Sequence, residues 1–236
     1  MALARVASQI AGNQTSIPAT SVSCAYPGNV TSGNLLVVCV AWDSEDDPSG
    51  GVTKLSGTAT VGTFVLDGTV SVTGQQSALI YSAPVTGTGS LTVECYHSSS
   101  KSWVIGVQEY SGADITASRV DGTAKTGTGT GTTASTATQT SAAGAVFVGS
   151  CSVWLGNSTL VPVAGNNFTE IYKQANGSLY MTGGCMDRIV SESTADIADW
   201  TIGQSVNWSA VCVMYKAVPA AVPDQSGRMA VQQRMG

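Results

Sequence analysis

Apolar runs of strand length, separated by patches of Gly, Thr, Ser and Asn, recur along the whole 236-residue chain. No long segment carries the apolar stripe, repeating every 3.6 residues, that a helix needs to bury one face. A chain patterned this way has one economical way to hide its apolar side chains, which is to stack pleated sheets. The run Asn34-Leu35-Leu36-Val37-Val38-Cys39-Val40-Ala41-Trp42 is apolar at every position after the first, so it suits a central strand covered on both faces. The 27 glycines fit many tight turns, and a hydrophobic content of 43% is enough for a sizeable core.

Strands are expected at Ala19–Cys24, Gly33–Trp42, Thr58–Leu66, Thr69–Thr73, Ser77–Pro84, Ser90–His97 and Ser102–Tyr110. The second half adds Gly144–Trp154, Phe168–Gln174, Ser178–Met181, Cys185–Ser191 and Gln204–Lys216, with Ser193–Trp200 the one short candidate for a helix or turn. Segment 122–141 alternates Gly and Thr over Thr126–Thr132 and reads as an edge strand with a loop, because threonine favours extended backbone. The alternative is a linker joining two smaller domains. The expected organisation is an N-terminal arm over 1–17, one sandwich domain over 18–216, and an extended Ala/Pro-rich arm over 217–236.

Charge narrows the function classes. Only 11% of residues are charged and the net charge is −5, with the ten basic residues scattered. Nucleic-acid binding needs clustered cations against phosphates, so none is expected. No run of about 18 apolar residues points to a spanning helix, and the start, Met1 to Gln9, lacks the apolar stretch of a signal peptide. Six Asn-x-Ser/Thr sites (Asn13, Asn29, Asn157, Asn167, Asn176, Asn207) therefore carry little weight as glycosylation acceptors. The six cysteines are too far apart for a Cys-x-x-Cys pair. They read as small buried hydrophobes, or as disulfides of a particle exposed outside a cell.

Chemistry-bearing residues are sparse. His97 is the single histidine, placed at a strand end before a serine turn, with no Gly-x-Ser-x-Gly elbow anywhere to serve it. Glu94, Glu109 and Glu170 lie on or beside strands, and two carboxylates in one groove would suit glycoside hydrolysis. Asp43, Glu45, Asp46 and Asp47 form the densest acidic cluster and the one weak candidate for a calcium loop, although the spacing is not that of an EF-hand. Trp42, Trp103, Trp154, Trp200 and Trp208 could stack on sugars or fill cores. No catalytic residue, no cofactor and no metal is expected beyond that loop.

The order of signals resembles a β-sandwich module of bacteriophage structural proteins and bacterial surface proteins. The matching elements are Gly33–Val38, Trp42-Asp43 with its loop, and the corner Glu109-Tyr110-Ser111-Gly112-Ala113-Asp114. The Gly/Thr-rich stretch, Ala145–Cys151, Ile171-Tyr172-Lys173 and Trp208–Tyr215 complete the match, over roughly residues 18–216. The resemblance implies a jelly-roll or lectin-like sandwich in a displayed, particle-attached role, and it transfers no catalytic residues. With no coiled coil and no repeated module in view, a stand-alone virion component is expected. The fold expected is thus an all-β antiparallel sandwich of jelly-roll type. The function expected is that of a non-enzymatic capsid decoration protein on a bacteriophage head. Its partners would be the major capsid protein or other virion proteins, and copies of itself, most simply as a trimer. The alternatives are a glycan- or receptor-binding module of a tail or cell surface, and a sandwich-fold glycosidase using Glu94 and Glu109.

Overall fold

The computed structural model describes residues 2–45, 50–141, 144–155, 158–175 and 181–218. It is all-β, with antiparallel pairing throughout and no helix among the described residues. The first half contains β1 (Ala4–Arg5), β2 (Ala11–Gln14), β3 (Ala19–Ala25), β4 (Leu35–Trp42), β5 (Gly51–Ser56), β6 (Thr60–Val61), β7 (Val65–Val72), β8 (Gln76–Gly87), β9 (Thr92–Lys101) and β10 (Trp103–Ser111). The second contains β11 (Lys125–Ser135), β12 (Gln139–Thr140), β13 (Ala145–Val153), β14 (Leu160–Pro162), β15 (Thr169–Ala175), β16 (Thr182–Val190), β17 (Ala195–Asp196) and β18 (Asp199–Lys216).

Two large sheets pack against each other. The first runs β10-β4-β8, extended by β1 and β2 beside β10 and by β6 and β7 beside β8. The second runs β11-β18-β13-β16-β15. Between them lies a middle core built from Leu35, Val37, Cys39, Ala78, Ile80 and Tyr110 on one side and Val146, Val148, Cys185, Val211, Val213 and Tyr215 on the other. Each large sheet is also covered on its outer face. The small sheet β3-β9-β5 closes a first outer core around Trp42, Trp103, Leu36 and Leu79. The end of β11, β14 and the start of β18 close another around Phe147, Trp200, Trp208 and Met214. Covering on both faces explains why β4 and β13 are buried at every residue, and why β4 reads as an unbroken apolar run. The stack therefore has more layers than the two of a simple sandwich.

The two halves repeat one plan. In the first, β2-β10-β4-β8-β7 forms the large sheet and β3-β9-β5 the small one. In the second, β11-β18-β13-β16-β15 matches the large sheet strand for strand. The start of β18 lies between the end of β11 (Thr133↔Thr201, Ser135↔Asp199) and β14 (Leu160↔Ile202), as β9 lies between β3 and β5. The registers agree as well. Trp103 faces Trp42, which faces Ser77, while Trp208 faces Val153, which faces Thr182. Seven residues on, Tyr110 faces Leu35 and Tyr215 faces Val146. Each central strand is entered through a glycine with positive φ, Gly33 at 90° and Gly144 at 71°, a conformation open to a residue without Cβ. No repeated module is visible in the sequence; the repeat resides in strand order and register.

Several expectations change. Residues 4–14, within the segment expected as a free N-terminal arm, pair with β10 of their own chain. Within Ser193–Trp200, Ala195–Asp196 and Asp199–Trp200 are strand and none of the segment is helix. Strands β5 and β14 were not expected, and Thr58–Leu66 splits into β6 and the start of β7. The Gly/Thr stretch is an edge strand, as expected: its glycines lie under an indole, with Trp208 2.9 Å from where a Cβ on Gly129 would stand, and Thr126, Thr128 and Thr130 point to solvent. Ala217 N donates to Gly144 O (2.7 Å) and Val218 N to Gly112 O (2.9 Å), so the chain after β18 is first tied down between the halves. The rest of the expected C-terminal arm, 219–236, and most of the expected strand Ser178–Met181 lie outside the described residues.

Close approach of the large sheets depends on Gly106. A Cβ there would stand 2.7 Å from Cys185 Sγ and 3.4 Å from Tyr172 Cβ. Gly106→Ala is expected to cost about 1–3 kcal/mol by overpacking, measured by urea unfolding; an unchanged midpoint would show that the sheets separate freely at this point.

Candidate functional site

Two aspartates, Asp187 and Asp67, tie the two large sheets together. Asp187, on β16, reaches the first sheet: Arg5 Nη1 donates to its Oδ1 at 2.6 Å and Tyr110 OH to its Oδ2 at 2.8 Å. The reciprocal tie runs from Tyr215 on β18, whose hydroxyl donates to Asp67 Oδ2 on β7 at 2.8 Å. Ser82 Oγ also donates to Asp67, and Arg119 Nε donates to Ser82 Oγ at 2.7 Å. Tyr110 and Tyr215 hold equivalent places in the two halves, so each half lends a tyrosine to an aspartate of the other.

Burial pushes the carboxyls of Asp67 and Asp187 above their ordinary value of 3.8, with Ser82, Tyr215 and Arg119 pulling Asp67 back and Arg5 and Tyr110 pulling Asp187 back. The folded chain therefore holds these protons more tightly than the unfolded chain does. Their stabilising contribution is complete below the ordinary value and is lost as pH rises through the raised folded values. The melting temperature is expected to fall as pH rises from about 4 towards 7, and to fall less steeply in the Asp67→Asn/Asp187→Asn double variant. Equal slopes in thermal melts of the two proteins would assign the pH dependence to other groups.

The residues singled out in the sequence do not converge. Glu109 is wholly buried; its Oε1 accepts from Thr31 N at 2.8 Å and Asn34 Nδ2 at 2.7 Å. Glu94 lies on β9 between Ser23 and Thr53, on the outward face of the small sheet, since its neighbours Val93 and Cys95 point into the core. One of this pair is sealed inside and the other faces out, so they form no common groove. Glu170 is exposed and holds Lys173 Nζ at 3.0 Å. His97 lies within β9, not at a strand end before a turn; its Nδ1 accepts from Ser99 N at 3.0 Å, and its ring centroid is 4.9 Å from that of Trp42.

In the acidic cluster, Asp43 Oδ1 accepts from Ser102 N at 2.7 Å and Glu45 Oε2 from Gly74 N at 2.8 Å. Both carboxylates hold loops in place, and no group of three or more metal-ligating side chains occurs among the described residues. Asp46 and Asp47 lie outside the described residues. Trp42, Trp103, Trp200 and Trp208 are core residues, leaving Trp154 half-buried. Of the glycosylation-type asparagines, Asn13 Nδ2 donates to Ser23 O (2.7 Å) and Asn207 Nδ2 to Gln75 Oε1 (2.8 Å), so neither amide is free to be modified. Asn29 and Asn167 are exposed; Asn157 and Asn176 lie outside the described residues.

All six cysteines are buried free thiols. Burial, then the charge of Cys185, pushes Cys24 up to about 11, and burial pushes Cys212 up to about 12. Such thiols are unreactive near neutral pH.

Three depressions among the described residues are shallow. One of about 400 Å³ lies beside Asp121, Lys125 and Gln139, one of about 380 Å³ between Ser71–Thr73 and Thr128–Thr130, and one of about 310 Å³ along Arg188–Thr194. A feature that sequence reasoning missed is Tyr96, 45% exposed on the outward face of the small sheet. It sits between Ser21 and Gly51, with its ring 2.9 Å from where a Cβ on Gly50 would stand. The signal was present in the alternation of β9, whose even positions point outward. No family model matches this chain, and neither a curated protein nor a solved structure is detectably similar to it.

Proposed function

We propose that this protein is a structural, particle-attached module, a capsid decoration protein of a bacteriophage, that works by docking its outer faces onto neighbouring protein subunits. The observation that carries this reading is how the polar groups are spent. Glu109, Asp187, Asp67, Asp43 and His97 hold backbone or neighbouring side chains in place, and the cores between the layers are filled. What remains outside is broad, weakly charged sheet surface. Low charge reduces the desolvation cost of protein contacts, and symmetric repetition multiplies weak ones. The jelly-roll reading of the fold draws support from the chain's alternation between layers in the first half, from β3 to β4 to β5 and from β8 to β9 to β10. The partners are then the major capsid protein or another virion protein, with a homotrimer as the simplest assembly. Sedimentation across a concentration series is expected to show a trimer, and mixing with emptied phage capsids to show saturation at a symmetric copy number. A monomer that ignores capsids overturns the proposal.

A second reading has its own observation. Tyr96, 45% exposed beside Ser21, Gly50 and Gly51, offers an aromatic ring for a sugar to stack on. A glycan array is expected to show binding that Tyr96→Ala abolishes if this face is a lectin surface; binding unaffected by that change rules the face out.

A further inference from the structure

We propose that Cys39 and Cys185, one from each half, form a latent disulfide site that closes when the chain folds in the presence of a small-molecule disulfide. Cys39 on β4 lies directly opposite Gly106 on β10. Gly106 has no side chain, and Cys185 Sγ from the other sheet occupies that space, 2.7 Å from the missing Cβ. Opposed residues of an antiparallel ladder hold their Cβ atoms about 4.5–5.5 Å apart. The vacancy at Gly106 therefore brings the Cys185 sulfur beside Cys39. Gln108 Nε2 holds Cys39 Sγ from the side at 3.4 Å. Both cysteines belong to the middle core, whereas Cys24 and Cys95 lie in the first outer core and Cys151 and Cys212 in the second.

The chemistry precedes closure of the fold. Burial raises the Cys39 thiol well above its ordinary range, so once docked it keeps its proton near neutral pH. During folding, one thiolate attacks a sulfur of oxidised glutathione, forming a mixed disulfide and releasing one glutathione thiolate. As the sheets meet, the second cysteine, having lost its proton, attacks the protein sulfur and displaces the second glutathione. Two protons and two electrons pass from the cysteine pair, and one glutathione disulfide becomes two glutathione thiols. The new bond joins β4 to β16 and closes a loop longer than half the chain, which constrains the unfolded state strongly.

The full chain would be refolded from urea in a glutathione redox buffer, its free thiols blocked, and digested without reduction for mass spectrometry. The expected result is one linked peptide pair, Cys39 with Cys185, four blocked cysteines, and a higher melting temperature than the reduced protein. Cys39→Ser should remove the link and the thermal gain; Ser150 holds the equivalent place in the second half, so a hydroxyl fits there. Cys185→Ser serves as the second variant should the first fail to fold. Six blocked cysteines, or a link from Cys185 to Cys24, overturns the proposal. Neither outcome bears on the capsid reading, which concerns the outer faces.

Discussion

Replacing Asp187 by alanine is expected to destabilise the protein by about 3–5 kcal/mol, the range for removing one partner of a buried ion pair. Asp187 is 2% exposed and accepts from both Arg5 and Tyr110 across the middle core. Its loss strands a fully buried tyrosine hydroxyl and leaves Arg5 facing an uncompensated cavity. The reciprocal change, Asp67→Ala, is expected to cost less, about 1–3 kcal/mol, because it strands the hydroxyl of Tyr215 while Arg119 keeps Ser82. Urea unfolding of both variants measures this. If Asp67→Ala proved the more damaging, the load between the halves would rest on the other tie.

Trp103→Ala is the second large effect, expected at about 3–5 kcal/mol. Trp103 is wholly buried, stacks on Trp42 with ring centroids 4.8 Å apart, and donates from Nε1 to Ala19 O at 2.8 Å. The equivalent Trp208→Ala should cost less, because that indole is 9% exposed and its Nε1 has no partner. Both variants are expected to shift one common unfolding transition, since the two halves share the middle core. Two separate transitions, each moved by one variant alone, would mean that the halves fold independently.

The all-β architecture was legible because strand periodicity is local. The runs at Leu35–Trp42, Ala145–Val148 and Ala210–Tyr215 are apolar at consecutive positions, and such a run has to be covered on both sides. Strands β2, β5 and β14 were not legible. They are short or rich in Gly, Thr and Lys, and they become strands by pairing with neighbours that periodicity cannot name. Glu109 misled, and Asp187 went unremarked, for the same reason. Glu109 and Asp187 look like any polar residue on a strand until the packing shows Thr31, Asn34, Arg5 and Tyr110 waiting for them.

What this chain determined by itself is its material: pleated strands, an edge of alternating Gly and Thr, few charges and many turns. Only the tertiary structure decided that two halves with little in common residue by residue adopt one strand order and meet face to face. Pairing register and sheet docking are choices among distant segments, made by which side chains fit, such as a cysteine filling the gap over Gly106. Those choices also set which polar groups are spent inside and which surfaces remain to meet a partner.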